Sequence, residues 1–253
     1  MNTVHVHEIP HDTPTPELSS FGGGPSPAFD DPAPRHWLAT DAHGQPLARL
    51  SLARRIGWRT PHAWYRLGWA VHSSPELQLF GRQRTLLLGH DLTGADALGG
   101  WALAPALREA SAEAQEGAQE VWSALLDAAW LALAAADTPT APCIAELPGL
   151  ADDDGQSPFW RGLGQHFHHH GLAASRQQHG AAFDSLVAEL LPRHLVYASF
   201  LSPAAQAAMG QCASSALPLR RALQQRGFCW RQHITVTDGG AVMEWEAPDG
   251  ATP

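Results

Sequence analysis

An apolar run from Cys143 to Leu147 breaks at Pro148-Gly149, crosses an acidic turn ending at Gly155, and restarts at Ser157-Pro158 ahead of Phe159 and Trp160. That pattern predicts strand, loop and helix. Ser157 fits an N-cap, Pro158 the first helical position, where its missing N–H is harmless, and Phe159, Leu163 and Phe167 fall on one face. Upstream, Trp37 to Thr40, a turn at Asp41-Ala42-His43-Gly44, and Pro46 to Ile56 read as a hairpin. Trp64 to His72 and Arg84 to His90 supply further strands, and Thr85-Leu86-Leu87-Leu88 predicts a strand covered on both faces. Val121, Trp122, Leu125, Leu126, Ala129, Trp130 and Leu133 give a helix over 110–136 one wide apolar stripe. Ser202 to Met209 and Ala216 to Arg226 read as two more helices, the second closed by Gly227 as C-cap. Phe228 to Thr237 and Ala241 to Glu246 then form a hairpin through Asp238-Gly239-Gly240. The fold class is α/β, with a strand-rich first half.

Composition narrows what such a domain does. The chain has 253 residues, enough for one large domain with a real core, and a net charge of -9. All 16 of its cations are arginine. Without lysine, Schiff-base enzymes, pyridoxal phosphate enzymes and Walker-type phosphate loops are excluded. The acidic balance argues against a general nucleic-acid binder. Cys143, Cys212 and Cys229 have neither metal-ligand spacing nor an even count. No export signal opens the chain, and the best membrane candidate, 121–136, is short and carries Asp127, so the expectation is a cytoplasmic protein. Residues 1–34 hold seven prolines and a Gly22-Gly23-Gly24 run, which predicts a flexible tail followed by a domain over 35–247 and a disordered end at 248–253.

Several motifs in order carry a family resemblance. They are Trp64-Tyr65-Arg66-Leu67-Gly68, Val71-His72-Ser73-Ser74-Pro75-Glu76-Leu77, Asp91-Leu92-Thr93-Gly94, and Ser157-Pro158-Phe159-Trp160 with Gly162-Leu163-Gly164. Glu189-Leu190-Leu191-Pro192-Arg193-His194, Tyr197 and Asp238-Gly239-Gly240 complete the set. Together they resemble the arginine N-succinyltransferase family over roughly residues 36 to 246. The resemblance implies a GNAT-like fold, with a mixed, mostly antiparallel sheet flanked by helices. It implies succinyl-CoA as acyl donor, the α-amine of arginine or ornithine as acceptor, arginine catabolism as the setting, and no metal.

Acyl transfer from coenzyme A to an amine needs a held pyrophosphate, a stabilised oxyanion and a group that takes the ammonium proton. The resemblance puts the pyrophosphate turn between Pro105 and the helix through Trp122, where Arg108 matches the family. Of the family's closely spaced glycines only Gly117 is present, and Glu109, Glu113, Glu116 and Glu120 bring negative charge to the turn. The family's proton-donating histidine corresponds to Ala213, and a leucine that contacts succinyl-CoA corresponds to Trp101. His194 and Tyr197 are the substitutes for proton transfer, set against structural roles at a helix end and in a core. Asp91, Ser157 and Trp160 would shape the acceptor pocket. The family's N-terminal strand and helices, and a C-terminal part, find no counterpart here.

Other polar groups admit two readings. His5, His7 and His11 with Glu8, and His166, His170 and His179, are candidate metal sets, against solvated histidine patches. Arg49, Arg54, Arg55 and Arg59 meet either coenzyme A phosphates or solvent, and Asp152, Asp153 and Asp154 either a guanidinium or solvent. Two functions compete: an arginine N-succinyltransferase-like enzyme, alone or as a homo- or hetero-oligomer, and a non-catalytic subunit or sensor partnered with an active family member.

Overall fold

The structure, a computed structural model, describes residues 3–10, 12–14, 18–20, 31, 33–109, 111–134, 142–152, 154–168, 174, 178 and 183–246. Its first hairpin forms because apolar residues alternate on both sides of a turn that Asp41 holds. The Asp41 carboxylate accepts from the N–H groups of His43 at 2.8 Å and Gln45 at 2.9 Å. The flanking strands are β3 (Arg35–Thr40) and β4 (Pro46–Ala53), preceded by β1 (His5–Ile9) and β2 (Ser19–Ser20). Then follow β5 (Trp64–Ser74), β6 (Leu79–Gly89), β7 (Asp96–Leu103), α1 (Ala112–Ala134), β8 (Cys143–Glu146), α2 (Pro158–Gly162), α3 (Phe183–Leu190) and β9 (Val196–Tyr197). The chain closes with α4 (Pro203–Ala208), α5 (Leu217–Gln225), β10 (Cys229–Thr235) and β11 (Ala241–Trp245).

These strands build one 11-stranded sheet in the order β1-β3-β4-β7-β8-β11-β10-β5-β6-β9, with β2 beside β7. Among the described residues only the β7–β8 pair is parallel, joined by α1 as its crossover; the other pairings there are antiparallel. The expected mixed, mostly antiparallel sheet with helices is therefore the one found. Helices α1 and α5 cover Trp37, Leu50, Leu98, Ala145 and Met243, while α2, α3 and α4 cover Tyr65, Leu67, Leu86 and Ile234. Both groups lie on the same face. Met243 and Ala241 are two residues apart on β11, and Ala241 pairs with Ile234. Ile56, Leu92 and Ala95, from the loops before β5 and β7, cover Trp64, Ala97, Ile144 and Val242 on the opposite face.

Several expectations need correction. Residues 5–9 are a strand rather than a tail: they pair with β3 from His5↔Thr40 to Ile9↔His36, and Arg35 forks onto Glu8 at 2.7 Å. The free edge of β3 offers a ladder, and Val4 and Val6 add apolar contacts to the core. The disordered end expected at 248–253 lies outside the described residues, as does most of the remaining segment before Arg35. Thr85–Leu88 is covered on both faces only at its start: Thr85 is buried, but Leu87, on the same face, is 45% exposed, while Leu86 and Leu88 pack under the helices. Phe167 is 42% exposed, because α2 ends at Gly162 and a tighter turn over Gly164–His166 rotates it off the buried stripe of Phe159 and Leu163. Strand β7 has no clear sequence signal because Gly99-Gly100 interrupts its alternation.

The corner after β8 is tied to the last hairpin. Ser157 caps α2 as expected, accepting from Trp160 N at 3.2 Å and donating to Asp238 O at 3.4 Å. One Asp238 oxygen accepts from Gly149 N at 3.0 Å; the other accepts from Gly240 N at 3.0 Å and from the Thr235 hydroxyl. Gly149 leaves no alternative residue at its position, since a Cβ there would run into the Asp238 carbonyl. Asp238→Ala strands several donors and should lower stability by about 2–4 kcal/mol, read as a fall in the urea midpoint at unchanged slope.

Candidate active site

The β7–β8 ladder consists of three pairs, Asp96↔Cys143, Ala97↔Ile144 and Leu98↔Ala145. It stops where β7 bulges against β4 at Gly99-Gly100, Gly100 having a φ of 63°. A Cβ on Gly100 would strike the Ser51 hydroxyl, so glycine is required there. Past the bulge the two strands are laced by a side chain. The Trp101 indole N–H donates to the Glu146 carbonyl at 3.0 Å, while its ring, 6% exposed, meets Trp122 edge-on at 5.7 Å. Trp101 stands where the resemblance put an acyl-CoA contact, and it fills the helix-side mouth of this gap.

On the loop-covered face, the Glu146 side chain lies at the same gap. Its Oε1 accepts from Trp64 Nε1 at 2.6 Å and sits 2.8 Å from His62 Nε2. The backbone carbonyl of His62 receives His90 Nδ1 at 2.7 Å, which brings the Asp91 turn beside it. Asp91 itself lies 3.5 Å from His233 Nε2 and 3.8 Å from Arg66 Nη1, and His233 Nδ1 is 2.8 Å from Glu244 Oε1. A bulge in β10, with Gln232 at a φ of 75°, accompanies the register shift that brings His233 and Glu244 side by side. Two histidines and three carboxylates thus share one face beside the gap.

Burial disfavours charge on His233, but the Glu244 and Asp91 carboxylates outweigh it and raise the ring's pKa above its ordinary value. Tyr65, under α2, has its hydroxyl pushed far up by burial, and its oxygen has no hydrogen-bond partner among the described residues.

The structure brings some of the candidate residues together and separates others. Trp101 is at the gap and Asp91 on the loop-covered face. Ser157 and Trp160 are buried in the corner after β8, where Trp160 packs on Phe183 at 5.9 Å. Ala213 donates its N–H to Pro148 O at 2.9 Å, which holds that position just beyond the end of β8. His194 and Tyr197 are elsewhere. Helix α3 ends at Leu190, four residues short of His194, which is exposed, and Tyr197 is half-buried on β9 against His72 at 5.7 Å. Strand β9 is six strand steps from β7, about 30 Å along the sheet. Arg108 closes a 3-10 turn ahead of α1, whose Ser111 hydroxyl accepts from Ala114 N at 3.2 Å, and Glu109, Glu113, Glu116 and Glu120 are exposed.

Arg54 binds Asp96 at 2.8 Å, while Arg55 stacks on Trp58 at 4.9 Å. Asp152 takes Arg161 at 2.7 Å, so an arginine of the chain already fills the guanidinium place considered for that turn. Among the described residues no group of His, Cys, Asp and Glu is arranged to hold a metal; His11, His170 and His179 lie outside them. His62, His90, Glu146, His233 and Glu244 were missed. The available signal was a lone acid ending one apolar strand, Glu146, and another inside a second, Glu244.

The helices on one face, the antiparallel sheet and the single parallel pair opened by a bulge define a GNAT-like fold. Arginine/ornithine succinyltransferase subunit AI from Pseudomonas aeruginosa shares it, with a TM-score of 0.63 at 23% identity over 87% of this chain and 61% of that one. The family described as arginine N-succinyltransferase beta subunit matches residues 38–251, and the chain belongs to the arginine N-succinyltransferase family. Arginine N-succinyltransferase from Enterobacter sp. (strain 638) is 33% identical over 190 residues, 75% of this chain and 53% of that protein. The Salmonella arizonae protein of the same name is 34% identical over the same shares. The chain spans about half the length of these curated relatives.

The His233 contact yields a signed pH prediction. A histidine whose folded pKa is raised stabilises the fold fully below its unfolded value near 6.5, and that contribution disappears as pH rises through the folded value. His233→Gln should therefore lose stability most at pH 6 and least at pH 9. The difference is about 1.4 kcal/mol for each unit of the shift, measured by urea unfolding across that range.

Proposed function

We propose that the chain is an acyl-CoA-dependent N-acyltransferase that moves succinyl from succinyl-CoA to the α-amine of arginine or ornithine, in the cytoplasm, as a step of arginine catabolism. The observation that supports this best is the opened parallel pair β7–β8. Ending the ladder at Leu98↔Ala145 leaves strand-edge groups suited to an extended, amide-containing ligand such as the pantetheine arm of coenzyme A, which on the β7 side has to displace β2 from Ala102 and Leu103. Trp101 holds one of those groups, the Glu146 carbonyl, so the donor has to share or displace the indole. The carboxylates of Asp91, Glu146 and Glu244 on the loop-covered face suit a cationic amino acid. Family membership supports the same donor and acceptor. No described helix is long and apolar enough to cross a membrane.

Succinyl-CoA at a hundred times its dissociation constant should add about 2.7 kcal/mol to the folded state, visible as a raised melting temperature, with free succinate giving less. Arginine or ornithine then added should release free thiol at a rate proportional to protein. A melting temperature that stays fixed at saturating succinyl-CoA, with no thiol released, would contradict the proposal.

A further inference from the structure

An amino acid's α-amine arrives as an ammonium and has to lose a proton before it attacks, yet position 213 carries alanine. Glu146 and His62 offer the missing acceptor. Glu146 belongs to the gap through its carbonyl, which Trp101 holds, and to the loop-covered face through its carboxylate. His62 and Glu146 are 13% and 14% exposed at their side chains, sheltered but in contact with solvent, which a proton relay needs. Their mutual geometry is fixed: Trp64 donates to the shared carboxylate oxygen, its ring lies 4.7 Å from the imidazole, and His90 holds the His62 carbonyl. An imidazole set against a carboxylate is the arrangement that keeps a histidine oriented and steadies the charge it gains.

We propose that the His62–Glu146 pair accepts the proton of the acceptor ammonium in this chain, in place of the histidine absent at position 213; this rests on the acyl-transfer reading above. The ammonium gives one proton to the pair, which passes it to solvent. The freed nitrogen lone pair forms the C–N bond at the thioester carbonyl carbon. The C–S bond then breaks, its electrons leave with the coenzyme A sulfur, and the second nitrogen proton goes to that sulfur as thiol.

The test is the pH dependence of succinyl transfer to arginine by the 253-residue chain and by two variants. His62→Gln keeps an N–H toward Glu146 and so keeps the loop in place, but takes no proton. Its kcat should fall about 10²–10⁴-fold near pH 7 with the KM for succinyl-CoA unchanged. The deficit should shrink about tenfold per pH unit as the amine deprotonates unaided. Glu146→Gln should show a smaller loss with the same alkaline recovery, and it carries the test if His62→Gln does not fold. A loss that is equal at every pH, or activity within about threefold of the parent in both variants, overturns the proposal and leaves the pair a structural clip. If the folded parent chain itself transfers nothing, the acyl-transfer reading has failed and the proposal falls with it, an outcome told apart by the silent parent.

Discussion

The backbone ladder between β7 and β8 ends after Leu98↔Ala145, and the positions of the surrounding groups follow from how that ending is held. A parallel pair inside a sheet gains a hydrogen bond at each step, so interrupting it needs a compensating arrangement. The compensation has several parts. A bulge at Gly100 fits under Ser51, β2 pairs with β7 at Ala102 and Leu103, the Trp101 indole takes over the Glu146 carbonyl, and the chain after Glu146 turns into a corner fixed by Asp238. Each depends on the others: without the bulge Trp101 would not face the gap, and without the corner Glu146 would have no fixed end.

The asymmetry of the two faces explains where the chemistry gathers. The described helices α1 to α5 bury one side of the sheet chiefly in aliphatic and aromatic side chains. The other side is roofed by loops, whose backbone carbonyls and histidines provide polar contacts close to solvent. Glu146, Glu244, His233 and Asp91 all face that roof, and each is matched by a neighbour within hydrogen-bonding or ion-pairing distance. The glutamates along α1 have a different setting. Those glutamates, prominent in the sequence, face solvent and leave the gap untouched.

Much of the fold was legible, because its signals are local. The Asp41 turn, the apolar stripe of α1, the Ser157-Pro158 start of α2, Gly227 and the last hairpin all rest on neighbouring residues. Strand β1 was not legible, because proline-rich composition hides a five-residue ladder whose stability comes from a partner 31 or so positions away. The site was harder still. His62 and Glu146 are separated by 84 residues, and they meet only because the sheet order runs β8-β11-β10-β5. His194 and Tyr197 were chosen as proton carriers for their chemistry and the motif around them; the same sheet order puts them at its far edge. Trp101 and Ala213, singled out by the family resemblance, both lie near the end of β8, Trp101 bonded to the Glu146 carbonyl and Ala213 to that of Pro148.

The central claim is that acyl-CoA enters the gap between β7 and β8. Hydrogen–deuterium exchange with and without saturating succinyl-CoA tests it most directly, because amides that pair with a ligand, or are shielded by one, exchange more slowly. The account predicts slowed exchange in residues 99–108 and 146–160, the two edges of the gap and the segments leading from them. Slowed exchange confined to the far hairpin around residues 72–81, with the gap unchanged, would contradict it.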